Sequence, residues 1–161
     1  MIRSALRSTL GLTGVTGLLS AGLVLGTTAP ALADDACQRD AATVTCTYLF
    51  TGGEQVFLVP DGVSLLDVTA IGGTGGRALG ANSAARPVRV AGELPVQPGQ
   101  ALVVTVGGDG GAPTLSTEGV PTPGGAGGFN GGARGGSALG VPGHVSGAGG
   151  GGASDVRLIS R

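Results

Sequence analysis

The chain contains no lysine and no tryptophan, and its only histidine is His144. A P-loop needs a lysine on the nucleotide phosphates, and a Schiff-base enzyme needs one as its nucleophile, so both classes are excluded. A protein kinase is excluded for the same reason, because it positions ATP with a lysine. The chemistry open to this sequence is therefore narrow.

Positive charge is also scarce. All nine basic residues are arginine, against ten acidic residues. Without Arg3 and Arg7, which belong to a predicted leader, seven basic and ten acidic residues remain, a formal charge of 7 − 10 = −3. Nucleic acids and anionic membranes bind clustered positive surfaces, so we predict neither as a partner.

Motifs for catalysis, cofactors or metals are missing as well. The carboxylates are scattered, without the spacing of a calcium loop. The run from Gly147 to Gly152 satisfies the dinucleotide pattern G-x-G-x-x-G, as any glycine run does, but no strong strand precedes it and no helix follows. The residue types of a hydrolase triad are present as His144, Ser154 and Asp155. Ser154 lacks the nucleophile-elbow context that such a triad needs, so we do not predict one. We predict no enzyme, no catalytic or metal-binding residue and no cofactor.

The N-terminus has the three parts of a secretory signal peptide. Arg3 and Arg7 form a positive start, residues 10–26 are apolar, and Ala31-Leu32-Ala33 is a small-x-small cleavage pattern. The apolar run is 17 residues long, shorter than the roughly 20 that span a bilayer. We predict a signal peptide over residues 1–33, a mature domain over 34–161, a secreted or cell-surface location, and no stable membrane span after cleavage.

Cys37 and Cys46 are the only cysteines, and both follow the predicted cleavage site. An exported chain reaches an oxidising compartment, so we predict one disulfide between them. Closing this short loop stabilises a fold by roughly 2.7 kcal/mol on the chain-entropy model. Neither the cysteine spacing nor the distant histidine is typical of a redox or metal site.

Apolar residues alternate with polar ones over much of the mature chain, which predicts an all-β fold. A glycine pair at 52–53 predicts a hairpin between the first two strands, and Gly92 predicts a bulge in the fourth. The predicted strands are 43–50, 55–59, 64–71, 88–96, 101–106 and 153–160.

Glycine dominates the segment 107–152, where it makes up 20 of 46 residues. An α-helix in such a chain is unstable, because glycine loses the most backbone entropy on ordering. The segment is compatible with extended helices of three residues per turn that bond to one another through their backbones. From composition alone, a flexible linker is an equal alternative.

Several phrases resemble secreted bacterial glycine-rich proteins, which are similar to the glycine-rich extracellular domain of the anaplastic lymphoma kinase and leukocyte tyrosine kinase receptors. The resemblance covers roughly residues 46–157. The residues that carry it are Tyr48 to Val63, Val68 to Gly73, Gly128 to Gly132 and Gly149 to Arg157.

This resemblance implies a partial jelly-roll sandwich like that of tumour necrosis factor, with polyglycine helices inserted between strands. It implies no kinase activity for this chain. Members usually continue past the Ala-Ser-Asp-Val-Arg phrase, so the chain is expected to be a short member or a fragment of a larger surface protein.

The predicted function is accordingly a non-catalytic binding or structural module at the cell surface. Its partner is expected to be a protein or other cell-surface ligand that the residues do not identify. An ice-binding protein is the alternative, because some are disulfide-bonded bundles of glycine-rich helices. A secreted hydrolase that depends on His144 is a third.

Overall fold

The structure, a computed structural model, describes residues 2–7, 36–40 and 43–158, and for residues 2–7 the backbone alone. No helix occurs in these ranges, so the predicted all-β class is confirmed. None of the described residues forms a helix able to cross a bilayer. The strands are β1 Ile2–Arg7, β2 Cys37–Asp40, β3 Thr43–Tyr48, β4 Glu54–Leu58, β5 Leu65–Ile71, β6 Arg89–Pro95, β7 Ala101–Thr105 and β8 Asp155–Arg157.

The strands form two antiparallel sheets. The larger has the order β2-β3-β1-β5-β6, and the smaller has the order β4-β7-β8. The N-terminal strand β1 therefore lies at the centre of the larger sheet, between β3 and β5. We call these two sheets with their connections the sandwich.

The core lies where the inner faces of the two sheets meet. Leu66 of the larger sheet and Leu102 of the smaller one are 1% and 2% exposed. The rings of Tyr48 and Phe57 meet edge to face across the sheets, with centroids 6.4 Å apart. The remaining core residues are Cys46, Val59, Val63, Val96, Val104 and Val106.

The strands β3, β5 and β7 were predicted correctly. The prediction of a hairpin between β3 and β4 is wrong. The two strands belong to different sheets, and β4 pairs with β7 instead. Gly52 does take a positive φ of 76°. The connection nevertheless carries the chain from one sheet to the other, because this crossing lets both strands bury their apolar faces in one core.

The predicted bulge at Gly92 is also wrong. β5 and β6 pair residue for residue, with Gly92 opposite Val68. Only the last apolar residues of the alternating pattern contribute to the core: Leu94 packs against the core, and Val96 is buried in it. Val90, on the edge strand β6, is 64% exposed.

Three further predictions concern the termini and the cysteines. The disulfide between Cys37 and Cys46 is confirmed, and the two residues face each other in the β2–β3 pair. The last strand is shorter than predicted, since β8 has three residues. The signal peptide stays a prediction: its residues 8–33 lie outside the described residues, while Ile2–Arg7 forms β1.

Candidate functional site: the glycine bundle and its tip

Five extended segments pack side by side at one end of the sandwich and bond through their backbones. We call them the glycine bundle. Segment 147–152 is central, and its amides donate to two neighbours at intervals of three residues. The bonds are Gly147 to Gly136 (2.7 Å) and Gly150 to Ala133 (2.8 Å), and Gly149 to Gly111 and Gly152 to Gly108 (both 2.9 Å). The bundle comprises residues 72–76, 107–111, 124–128, 132–136 and 147–152.

Carbonyl groups of the central segment accept from the two remaining segments with the same spacing. Gly73 and Gly76 donate to Gly152 and Gly149 at 2.8 and 2.7 Å. From the other side, Gly125 and Gly128 donate to Gly147 and Gly150, both at 2.9 Å. A repeat of three residues matches the extended helix of the polyproline type. The predicted interhelical bonding is therefore present, and the bundle is an ordered array of backbone.

The segments lie too close together for side chains. A Cβ built on Gly149 would fall inside the backbone of Ala126, and one on Gly152 inside the carbonyl of Phe129. Similar overlaps with backbone atoms occur at Gly73, Gly76, Gly107, Gly110, Gly124, Gly127 and Gly128. Gly136 differs, because nothing lies within 4 Å of its added Cβ. Glycine is thus required at these overlapping positions and is optional at Gly136.

Asn130 and Phe129 fasten the bundle to the sandwich. Asn130 has a positive φ of 67° in the turn between two bundle segments. Its Nδ2 donates to the carbonyl of Ala153 (2.7 Å) and to Oδ2 of Asp155 (2.8 Å). The Phe129 ring meets the Phe50 ring edge to face, with centroids 6.0 Å apart. Phe129 is accordingly a packing anchor between the bundle and the sandwich.

Ser154 and Asp155 have structural contacts and do not assemble a triad. The Ser154 hydroxyl donates to the carbonyl of Ile71 (2.6 Å) and accepts from the amide of Gly107 (2.9 Å). Asp155 pairs with Arg157. His144 is exposed and belongs to the tip described below. The serine therefore joins the end of β5 to the bundle.

Arg157 ties the three strands of the smaller sheet together. Besides Asp155, its guanidinium contacts Glu54 of β4 at 2.5 Å and the hydroxyl of Thr105 of β7 at 3.0 Å. The arginine side chain is only 18% exposed, so these contacts are partly shielded from solvent.

Asp109 holds the first bundle segment from the side. Its Oδ1 accepts from the amide of Thr74 at 2.6 Å. Hydrogen bonds from the Thr74 side chain, and then from its backbone, lower the pKa of Asp109 below its ordinary value of 3.8. Because these bonds stabilise the charged carboxylate, the contact is strongest when Asp109 is ionised.

Two loops leave the bundle together and form what we call the tip, residues 112–123 and 137–146. Isolated bridges pair Leu115 with Val145 and Thr122 with Ala138. Ser116 is buried, and its hydroxyl donates to the carbonyl of Leu139 at 2.7 Å. Buried polar contacts of this kind order loops that have little core of their own.

The tip presents apolar side chains to solvent. Leu139 is 71% exposed, although its backbone is held by Ser116. The other exposed apolar residues of the tip are Leu115, Val120, Val141 and Val145. Exposed apolar side chains gathered on two loops that bond to each other are candidates for an interaction surface. Sequence reasoning missed the tip, because these residues are separated along the chain by glycine tracts.

The described residues contain no group of three or more His, Cys, Asp or Glu placed to hold a metal ion. Comparison of the chain with protein-family models, with curated proteins and with solved structures found no match. The fold and the sites above therefore define the protein as an all-β sandwich that carries a hydrogen-bonded glycine bundle and an apolar tip.

Proposed function

We propose that this chain is a non-catalytic, secreted or cell-surface binding module, in which the glycine bundle is a rigid support and the tip contacts a protein ligand. The observation that carries the proposal is the exposed apolar group of the tip, held by buried hydroxyl contacts at the end of an ordered bundle. The predicted leader and the disulfide are consistent with export.

The bundle makes the tip suitable for recognition. A flexible glycine chain loses conformational entropy when it binds, whereas a backbone already bonded on several sides loses little. Apolar side chains then contribute to affinity through the surface that they bury. The resemblance to the glycine-rich domain of the two receptors, which lies in their ligand-binding region, supports protein recognition.

The direct test measures binding of fluorescently labelled protein to intact cells of the producing organism and to their purified envelope. We expect saturable binding that Leu139→Asp abolishes. Val88→Asp is the matched control, because Val88 is 74% exposed but lies beside β6, outside the tip. Equal binding by both variants and the native protein would exclude the tip as the contact.

A second measurement tests the support. Within residues 107–152, hydrogen exchange should be slow for the glycine amides that donate to backbone carbonyls, such as those of Gly111, Gly125 and Gly149, and it should become fast on denaturation. Immediate exchange in the native protein would favour the flexible linker over a rigid bundle.

Ice binding is the second candidate, favoured by the repeat of three residues in the bundle bonds. An ice-binding face also needs a flat, regular array, and the glycine spacing here is irregular. A thermal hysteresis assay distinguishes the two functions, and we expect no hysteresis. Hysteresis that persists in Leu139→Asp would assign the function to the bundle instead of the tip.

A further inference from the structure

The centre of the larger sheet is filled by a segment that the sequence predicts to be removed on export. β1 lies between β3 and β5 and is antiparallel to both. The same residues, Ile2–Arg7, belong to the predicted leader. We propose that in the processed chain this position is an acceptor site, where an extended, basic segment of a partner protein pairs with both strands. The acceptor site rests on the proposed function, because only an exported chain loses its leader.

In this structure the strands on either side of β1 are too far apart to bond to each other. With one strand between them, β3 and β5 are separated by two strand spacings, about 9.5 Å, whereas an N–H···O bond spans about 2.9 Å. Removing β1 therefore leaves two facing rows of unpaired N–H and C=O groups. Such edges are templates for pairing with another chain, and addition of a peptide strand is a common mode of recognition.

The register specifies which residues fit the inner face of the acceptor site. Positions 2 and 4 of β1 lie opposite Tyr48 and Cys46, and position 6 lies opposite Leu66. All three of these partners are buried in the core. Opposed residues share a sheet face, so the occupant needs apolar or small residues at alternate positions. The chain itself has Ile2, Ser4 and Leu6 there.

Two carboxylates lie opposite each other on the outer face beside the site, and this pair indicates the charge of the partner. Asp67 of β5 lies directly opposite Glu93 of β6, and like charges in opposed positions are unfavourable. The position opposite Asp67 is held by Ala5. Positions 3 and 7, two residues before and after Ala5, are the diagonal neighbours of Asp67, and the sequence has Arg3 and Arg7 there. Basic residues at these positions are opposite in charge to Asp67.

The experiment uses the full chain, folded and oxidised with its leader in place, and carrying a specific protease site within residues 8–35. After cleavage, fluorescently labelled peptide of residues 1–8 is added in excess as the probe. We expect the N-terminal fragment to remain bound on gel filtration, and the labelled peptide to displace it with saturable binding.

Peptide variants test the geometry of pairing. Ser4→Pro should weaken binding at least about tenfold, because a central strand uses its N–H groups on both sides. Leu6→Asp should weaken it at least as much, since it opposes the buried Leu66. Ala5→Ser is the matched control and should bind within about twofold, because it opposes the polar Asp67 and Thr45. Reversing Arg3 and Arg7 to Glu should weaken binding most at low salt.

Three outcomes would overturn the proposal. The cleaved protein releases the fragment and binds no peptide; or it binds the Ser4→Pro peptide as well as the native one; or it dimerises and excludes the peptide, which would make a second copy the occupant. Each outcome leaves the proposed function separately measurable, because cell binding through Leu139 and glycine-amide protection are read independently. Conversely, loss of those two signals with peptide binding retained would contradict the function and not the acceptor site.

Discussion

The sandwich and the glycine bundle are stabilised by different parts of the chain. In the sandwich, side chains such as Leu66 and Leu102 are buried between sheets, and the gain comes from removing apolar surface from water. In the bundle, side chains are absent where segments touch, and backbone bonds join five segments. The difference teaches that glycine-rich sequence is ordered when each segment is bonded on several sides, since one neighbour alone would not offset the entropy of so many glycines.

The largest effect is expected from a cavity in the sandwich. Leu102→Ala removes a side chain that is 2% exposed, and the free energy of unfolding should fall by about 2–5 kcal/mol. Chemical denaturation followed by circular dichroism measures it. Because the bundle is anchored on the sandwich, we expect both regions to lose amide protection together. Loss of sandwich protection alone would show that the bundle is independently stable.

Gly149→Ala should destabilise the bundle, and it leaves the side chains of the sandwich core unchanged. The added methyl group overlaps the backbone of Ala126, so the two segments must shift apart to accommodate it, and we expect a loss of about 3 kcal/mol. Hydrogen exchange should quicken first in residues 107–152. Gly136→Ala is the control, because its methyl group meets nothing within 4 Å, and its effect should stay within about 0.5 kcal/mol. Similar losses in both variants would contradict close packing as the reason for glycine.

Ser154→Ala tests the connection between the two regions. It leaves the Gly107 amide without its hydroxyl acceptor and the Ile71 carbonyl without that hydroxyl donor. We expect a loss of about 1–2 kcal/mol, the typical cost of an unsatisfied, partly buried donor. Ser154→Thr keeps the hydroxyl and serves as the control. The amide of Gly107 should exchange faster in Ser154→Ala only. Unchanged exchange there would place the connection elsewhere, for instance at Asn130.

The smallest expected effect is a pH dependence at the edge of the bundle. The pKa of Asp109 is lowered in the folded protein, so its contribution to stability is present above 3.8, the ordinary value, and is lost as the pH falls through the folded pKa. The amide resonance of Thr74 should titrate with a midpoint below 3.8. In Asp109→Asn this titration should vanish. A midpoint at or above the ordinary value would contradict the hydrogen bonds from Thr74.

The sandwich was predictable in parts and not as a whole. The alternation of apolar and polar residues correctly placed β5 and β7 within the predicted strands 64–71 and 101–106, because this alternation is local to each strand. Pairing was not predictable in the same way. The glycine pair at 52–53 suits a hairpin and also suits a crossing between sheets, and only the competition for one core decides between them.

The tip and the centre of the larger sheet were beyond sequence reasoning for a related reason. Leu115 and Val145 lie 30 residues apart in the sequence and meet in one bridge. Likewise, the leader pattern at Ile2–Arg7 gives no sign that this segment pairs with β3 and β5. Contacts between distant segments depend on the packing of everything between them, which no local pattern contains.

The amino-acid sequence by itself determined the all-β class, the disulfide between Cys37 and Cys46, and the exclusion of lysine chemistry, because each depends on local periodicity, spacing or the presence of a residue type. Tertiary structure alone decided that the glycine tracts form an ordered bundle, that the tip residues meet, and that β1 lies between β3 and β5. Backbone groups are the same in every residue, so which amide bonds to which carbonyl is settled only when the whole chain has folded.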